Sequence, residues 1–195
     1  MSAADPSPTQ SQSLWIFGYG SLIWRPDMPY VEVRTARLHG WMRRFWQGSH
    51  DHRGVPEAPG RVVTLLPSVD HYCDGVAYLV EGHTAQTVLA QLDYREKNGY
   101  ARHDVALIDQ NGESFQALVY IATEENFAYL GPAEVDEIVD QIARSHGPSG
   151  ANSEYLLALA EALRQLRADD AHVFELERLL LARRLTSASR SHTTP

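Results

Sequence analysis

Trp15-Ile16-Phe17-Gly18-Tyr19-Gly20-Ser21-Leu22-Ile23-Trp24 opens as an apolar, aromatic-rich run of strand type and breaks into Gly-Tyr-Gly-Ser. Two glycines around an aromatic permit positive φ and a close approach of bare backbone. Successive N–H groups after such a turn can converge on an oxyanion or carboxylate, whereas the plainer reading is a strand followed by an ordinary turn. The dinucleotide fingerprint GxGxxG is excluded, because its third glycine position is Ile23. A nucleophile elbow is excluded as well, since Ser21 is not in GxSxG.

Working outward, further strand-type runs lie at 33–39, 42–46, 61–66 and 74–80. The segment 47–60 between them is rich in glycine and proline and reads as a loop. Ala85, Val88, Leu89 and Leu92 then follow helical spacing, with Thr84 as a candidate cap. Two strands, 103–109 and 115–121, flank Asn111-Gly112, a hairpin signal. The remainder is helical. One helix starts at Pro132 with an apolar stripe of Val135, Ile138, Val139 and Ile142 and stops at Gly147; two more run near 152–167 and 171–184. Strands followed by helices, with little βαβ alternation, predict an α+β fold whose sheet is mixed or antiparallel, with closure into a small barrel one option. Residues 1–13 and 186–195 have little to bury and read as disordered tails around one domain from about 14 to 185.

Composition narrows the function. A chain of 195 residues with 44% apolar and 22% charged content is an ordinary globular protein. Its net charge of −8, without a basic tract, argues against nucleic acid as a partner. The single cysteine, Cys73, excludes an internal disulfide and suits a reducing compartment. No apolar run is long enough to span a membrane, and Met1-Ser2-Ala3-Ala4-Asp5-Pro6 lacks the order of a signal peptide, so a cytoplasmic protein is expected. Nothing sets the oligomeric state; a monomer is the starting expectation.

Glu96 is the most informative single residue. It follows Leu92 by four positions, so a persisting helix would place its carboxylate on the apolar face, where it must be paired or protonated. If the helix ends by Tyr94, Glu96 is instead solvated beside Asn98-Gly99. The flanking Arg95 and Lys97 would point elsewhere on a helix. In the loop, Ser49-His50-Asp51 is no triad, because triad members meet from separate elements. His50 and His52 follow no standard zinc spacing. Arg53 beside Gly54 reads as a carboxylate clamp or equally as a structural pin. Cys73, next to Asp74, is poorly placed for a thiolate. Gly147-Pro148-Ser149-Gly150 could receive an anion or simply turn the chain between helices.

Several stretches together carry a resemblance. They are Phe17 to Trp24, Arg43-Arg44-Phe45-Trp46-Gln47-Gly48-Ser49, Asp51-His52-Arg53-Gly54-Val55-Pro56, Pro59 to Leu65, Tyr94-Arg95-Glu96-Lys97-Asn98-Gly99-Tyr100, Tyr129-Leu130-Gly131-Pro132 and Gly147 to Gly150. In this order, from about Leu14 to Leu181, they resemble the ChaC family, the glutathione-specific γ-glutamylcyclotransferases. The resemblance implies a γ-glutamylcyclotransferase fold: a small mixed β-barrel with helices around it. It implies a lyase that splits glutathione without water into 5-oxoproline and cysteinylglycine and needs neither metal nor organic cofactor. It carries Glu96 over as the catalytic acid–base and Ile16, Phe17, Gly18, Tyr19, Gly20, Ser21 and Leu22 as the substrate loop. The N-terminal extension, Tyr94 where the family commonly has Phe, and Asn98 where it commonly has Gly depart from the pattern. None of these departures touches the carboxylate.

The implied chemistry is economical, because the γ-glutamyl α-amine is already tethered to the carbonyl it attacks. Glu96, raised by an apolar wall, would take a proton from that amine and return one to the departing nitrogen. Backbone N–H groups of Tyr19 to Leu22 would hold the developing oxyanion or the substrate carboxylate. Arg53, Tyr100 and Tyr120, with Tyr19, are the side-chain candidates for substrate contact. The alternatives are another γ-glutamyl peptide or γ-glutamylamine as substrate, or a non-catalytic binding module on the same scaffold.

Overall fold

A computed structural model of the chain describes residues 12–96 and 99–191. Lys97, Asn98, most of the expected N-terminal tail and residues 192–195 lie outside the described residues. Five strands form a closed barrel: β1 (Leu14–Gly18), β2 (Glu32–Ser49), β3 (Gly60–Val80), β4 (Tyr100–Asp109) and β5 (Ser114–Ala122). Their order around it is β1-β3-β2-β4-β5, and β5 returns to β1 in parallel, registering Ile16 with Leu118. Every other pairing is antiparallel, so the sheet is mixed and has no free edge.

The runs at 33–39 and 42–46, expected as two strands, are one bent strand. Its register shifts between His39 and Trp41, where Gly40 takes φ +80°. The runs at 61–66 and 74–80 likewise join through the intervening turn-like residues into β3. The loop is correspondingly shorter than 47–60, because Gln47–Ser49 pair with Gly60–Val62. The hairpin at Asn111-Gly112 is present between β4 and β5.

Strand alternation divides the interior. Phe17, Phe45, Leu65, Leu107 and Ile121 point into the barrel. There they join Ile138, Val139 and Ile142 of α2 (Val135–Arg144), Leu156, Leu159 and Leu163 of α3 (Asn152–Gln165), and Val173, Leu176 and Leu180 of α4 (Ala171–Ser191). Ile16, Val76, Tyr78 and Tyr120 face the other way, against Ala85, Val88 and Leu92 of α1 (Gly82–Arg95). Fully burying each such side chain contributes about 1.5–3 kcal/mol.

Helix boundaries depart from the sequence reading. Thr84 does not cap α1 through its side chain; its hydroxyl donates to the Glu81 carbonyl at 3.0 Å. Pro132 is not the first residue of α2, which starts at Val135 with Asp136 and Glu137 in the first turn, where acids complement the dipole. α2 ends at Arg144, and the Gly147-Pro148-Ser149-Gly150 stretch forms a hairpin between the two-residue strands β6 (His146–Gly147) and β7 (Gly150–Ala151). α4 spans Ala171–Ser191, so the segment from Thr186 to Ser191 is helical rather than a tail. Ser13, also assigned to a tail, accepts a hydrogen bond from the Gly82 N–H at 3.2 Å.

Candidate active site

At the end of β1 the chain leaves the barrel through Tyr19 and Gly20 into a single 3-10 turn, Ser21–Ile23. The Tyr19 carbonyl is held from behind by Arg43, whose Nε donates to it at 2.8 Å. Arg43 is fully buried and also reaches the Asp170 carboxylate at 2.7 Å, the Cys73 sulfur and the Asp74 carbonyl. Burial pushes the Cys73 thiol up to about 12, so this cysteine stays neutral despite the guanidinium beside it. Among the described residues, no hydrogen bond within the protein is donated by the Gly20 or Ser21 N–H. Both residues line a recess beside Glu96.

Glu96 arrives from the opposite side as the C-cap of α1. The helix does end at Arg95, but the Glu96 N–H still donates to the Leu92 carbonyl at 2.7 Å. That bond keeps Glu96 on the face of Val88 and Leu92, so the carboxylate is not a solvated turn residue. Its side chain is 20% exposed. Burial raises its proton affinity above the ordinary carboxylate range; Arg95 pulls it down and the Asp51 charge pushes it further up. Arg95 does not point away, as helical phase suggested: its Nε lies 3.5 Å from Glu96 Oε1.

Two connected hollows meet at this carboxylate. An inner recess of about 60 Å³ is lined by Phe17, Tyr19, Gly20, Ser21, Leu22, Val63, Glu96, Tyr100, Tyr120 and Tyr155. An outer cleft of about 460 Å³ includes Trp24, Asp51, Arg53, Arg95 and Ser149 in its wall. Ser21, Glu96, Tyr100 and Tyr155 belong to both, so Glu96 stands at the junction.

The residues singled out in the sequence do not all reach the site. Ile16 is fully buried on the α1 side, because strand alternation turns it away from Phe17, and Gly18 lines neither hollow. The Tyr19 hydroxyl donates to the Tyr120 carbonyl at 2.9 Å, and that of Tyr100 to the Val63 carbonyl at 3.1 Å. Burial raises both phenols well above their usual range, which keeps them protonated. Tyr120 lines the recess. Its hydroxyl donates to Asp93 at 2.7 Å and accepts from Arg102 at 3.2 Å, away from the recess. Gly20 has φ −123°, so positive φ is not its role. Space is: a Cβ there would lie 2.9 Å from the Tyr155 hydroxyl.

Both the sequence and the fold are matched by known proteins. The family model described as ChaC-like protein matches residues 14–183. The chain belongs to the ChaC-like family. It is 48% identical over 176 residues to glutathione-specific γ-glutamylcyclotransferase 1 of Danio rerio, covering 87% of this chain and 90% of that one. It is 38% identical over 203 residues to the glutathione-specific γ-glutamylcyclotransferase of Saccharomyces cerevisiae, covering 80% and 88%. A crystal structure of a glutathione-specific γ-glutamylcyclotransferase from yeast superposes with a TM-score of 0.83 at 33% identity, covering 88% of this chain and 96% of that one.

Within this ChaC-like chain, the outer wall is assembled from interlocked loops. Ser49 Oγ accepts from the Arg53 N–H at 2.9 Å, and the His52 carbonyl from the Ser149 N–H at 2.9 Å. A Cβ on Gly54 would fall 2.0 Å from the Gly60 nitrogen, so the loop can close this tightly only with glycine there. Arg53 is partly a pin: its Nη1 donates to the Ala151 carbonyl at 3.2 Å and lies 3.6 Å from Glu154. His50 stacks on Phe127, with ring centroids 6.3 Å apart, and His52 Nδ1 lies 3.2 Å from Ser149 Oγ.

Tyr155 is a site residue that the sequence reading missed. It sits in α3 at Leu156's shoulder and looks like core; its burial, with a phenol pushed up to about 12, gives no local pattern in sequence. Asp51 and Ser149, which line the outer cleft, enter the sequence reading only as members of the His50-Asp51-His52 and Gly147–Gly150 stretches, not as substrate contacts.

Proposed function

We propose that this protein is a γ-glutamylcyclotransferase that cleaves glutathione into 5-oxoproline and cysteinylglycine. The observation that carries the reading is Glu96: a largely buried carboxylate of raised proton affinity lining a small recess, with Gly20 and Ser21, whose N–H groups have no partner within the protein among the described residues, in the same wall. The named relatives act on glutathione, which gives the substrate.

A free α-ammonium titrates near about 8, so at neutral pH a base must act before the nitrogen can attack. Glu96 takes that proton better than an ordinary carboxylate would. The amine then attacks the γ-carbonyl carbon, closing a five-membered ring, and the carbonyl oxygen becomes an oxyanion facing the Gly20 and Ser21 N–H groups. Collapse breaks the bond to the cysteinyl nitrogen, which receives a proton from Glu96. Two protons pass in all, because an ammonium becomes a lactam N–H while an amide N–H becomes an ammonium. The closed barrel beneath the turn keeps the donors fixed. We place the reaction in the cytoplasm and ascribe to it no metal or organic cofactor. No helix among the described residues is long and apolar enough to cross a membrane.

Incubation with glutathione, γ-Glu-Ala and a γ-glutamylamine, each followed for 5-oxoproline, tests the reading. Release from glutathione alone, or at the highest kcat/KM, is expected. Preference for γ-Glu-Ala or the amine would move the substrate class, and binding of glutathione without turnover would leave a binding module.

A further inference from the structure

Asp51 stands in the outer cleft with one carboxylate oxygen that the protein leaves without a hydrogen-bond partner. Its carboxylate makes no side-chain hydrogen bond among the described residues, and its Oδ1 is shut off from solvent with no partner. The His52 ring is beside it, with Nε2 3.7 Å from Oδ2. A buried, unpartnered carboxylate oxygen is costly, and a bound cation removes that cost. Nor is the position accidental. Asp51 sits inside the turn closed by the Arg53 N–H on Ser49 Oγ, and the Ser149 N–H fastens the turn to the β6–β7 hairpin.

The cleft sorts ligand charges. Arg25, Arg53 and Arg95 line it and suit carboxylates; of the acids in its wall, Asp27 is already paired with Arg25 at 2.7 Å, which leaves Asp51 and Glu96 to suit a cation. A γ-glutamyl peptide carries carboxylates and only one cation, its α-ammonium. We infer that Asp51 is a substrate-binding residue that holds the α-ammonium of the γ-glutamyl group beside Glu96 until its proton is taken. The inference rests on the γ-glutamyl substrate proposed above.

Electrostatics separates this role from that of Glu96. The Asp51 charge raises the proton affinity of Glu96, and it raises that of a bound amine in the same sense. The two effects oppose each other in the transfer step, so Asp51 acts mainly on binding and little on the chemistry. Removing it therefore separates KM from kcat.

The test uses Asp51→Asn and Asp51→Ser, each checked for native circular dichroism, in an otherwise intact protein. Glutathione kinetics are compared with inhibition by glutaryl-cysteinylglycine, the same skeleton with hydrogen in place of the ammonium. The expected result is a KM for glutathione raised at least ~10-fold with kcat within about 3-fold, the scale of a lost hydrogen bond to a charged group. Inhibition by the glutaryl peptide should be weak in wild type and unchanged in both variants. Unchanged KM in either folded variant would overturn the assignment, as would an equal loss of both ligands. Wild-type protein that releases no 5-oxoproline would take down the proposed reaction and this inference together, which distinguishes the two failures.

Discussion

Arg95 donates through Nη2 to Ser21 Oγ at 2.7 Å, joining the end of α1 to the turn that follows β1 across 74 residues of sequence. The same guanidinium reaches Glu96 Oε1 at 3.5 Å through Nε. One side chain therefore spans the proposed acid–base and the turn that carries the proposed oxyanion donors. It sets their separation and lowers the proton affinity of the carboxylate.

This bridge makes the effects of Arg95→Ala and Ser21→Ala non-additive. Each should lower kcat/KM, and the double variant should lose no more than the worse single one, a coupling on the order of 1 kcal/mol. Arg95→Ala should also move the acid limb of the pH–rate profile upward, because a cation that favours ionised Glu96 is gone. Strictly additive losses would show that the two residues act independently.

Glu96→Gln should bind glutathione while lowering kcat at least ~100-fold. A stability effect accompanies it. The folded-state affinity of Glu96 for its proton is raised above the reference value of 4.5, so its ionisation penalises the fold above the raised pKa and not below 4.5. The Gln variant should melt at a higher temperature than wild type at pH 8, and the gap should close as the pH falls toward 4.5. Activity within a few-fold of wild type would end the assignment of Glu96.

Gly20→Val should abolish turnover with the circular dichroism near native. Its Cβ would sit 2.9 Å from the Tyr155 hydroxyl and 3.1 Å from Val63 Cγ2, and the further methyls would crowd the small recess that Gly20 lines. Gly20→Ala combined with Tyr155→Phe removes the closer contact, so this pair should recover activity relative to Gly20→Ala alone. Failure of the rescue, with Tyr155→Phe itself active, would mean that the clash lies with Val63.

Acid should destabilise the protein through His172. Its Nε2 accepts the Phe45 N–H at 3.1 Å, and burial lowers its pKa from 6.5 to about 4. Between those values the unfolded chain binds the proton and the folded one does not, so stability falls with pH by up to about 3 kcal/mol near pH 4. His172→Gln should flatten urea-unfolding stability over that window. An equal pH slope in the variant would assign the acid sensitivity elsewhere.

The periodicities in the chain were enough to specify the elements, because apolar spacing at two or at three-and-four residues is a local property. Ile16 and Phe17, or Leu89 and Leu92, show their element type without reference to anything distant. The motifs around Gly18-Tyr19-Gly20-Ser21 and Arg95-Glu96 likewise marked the family and the carboxylate. Tertiary structure alone decided what those groups face. Alternation puts Ile16 and Phe17 on opposite faces, but only the pairing of β1 with both β3 and β5 determines that Phe17 looks inward while Ile16 goes to α1. It decided that Arg95 turns back onto Ser21, and that Tyr155, indistinguishable from core in its own helix, closes over Gly20. It also left Asp51 Oδ1 without a hydrogen-bond partner at the cleft. Burial and charge pairing are sums over segments far apart in the chain, so the raised proton affinity of Glu96 comes into existence only once α1, the Ser49–Arg53 turn and the barrel wall have met.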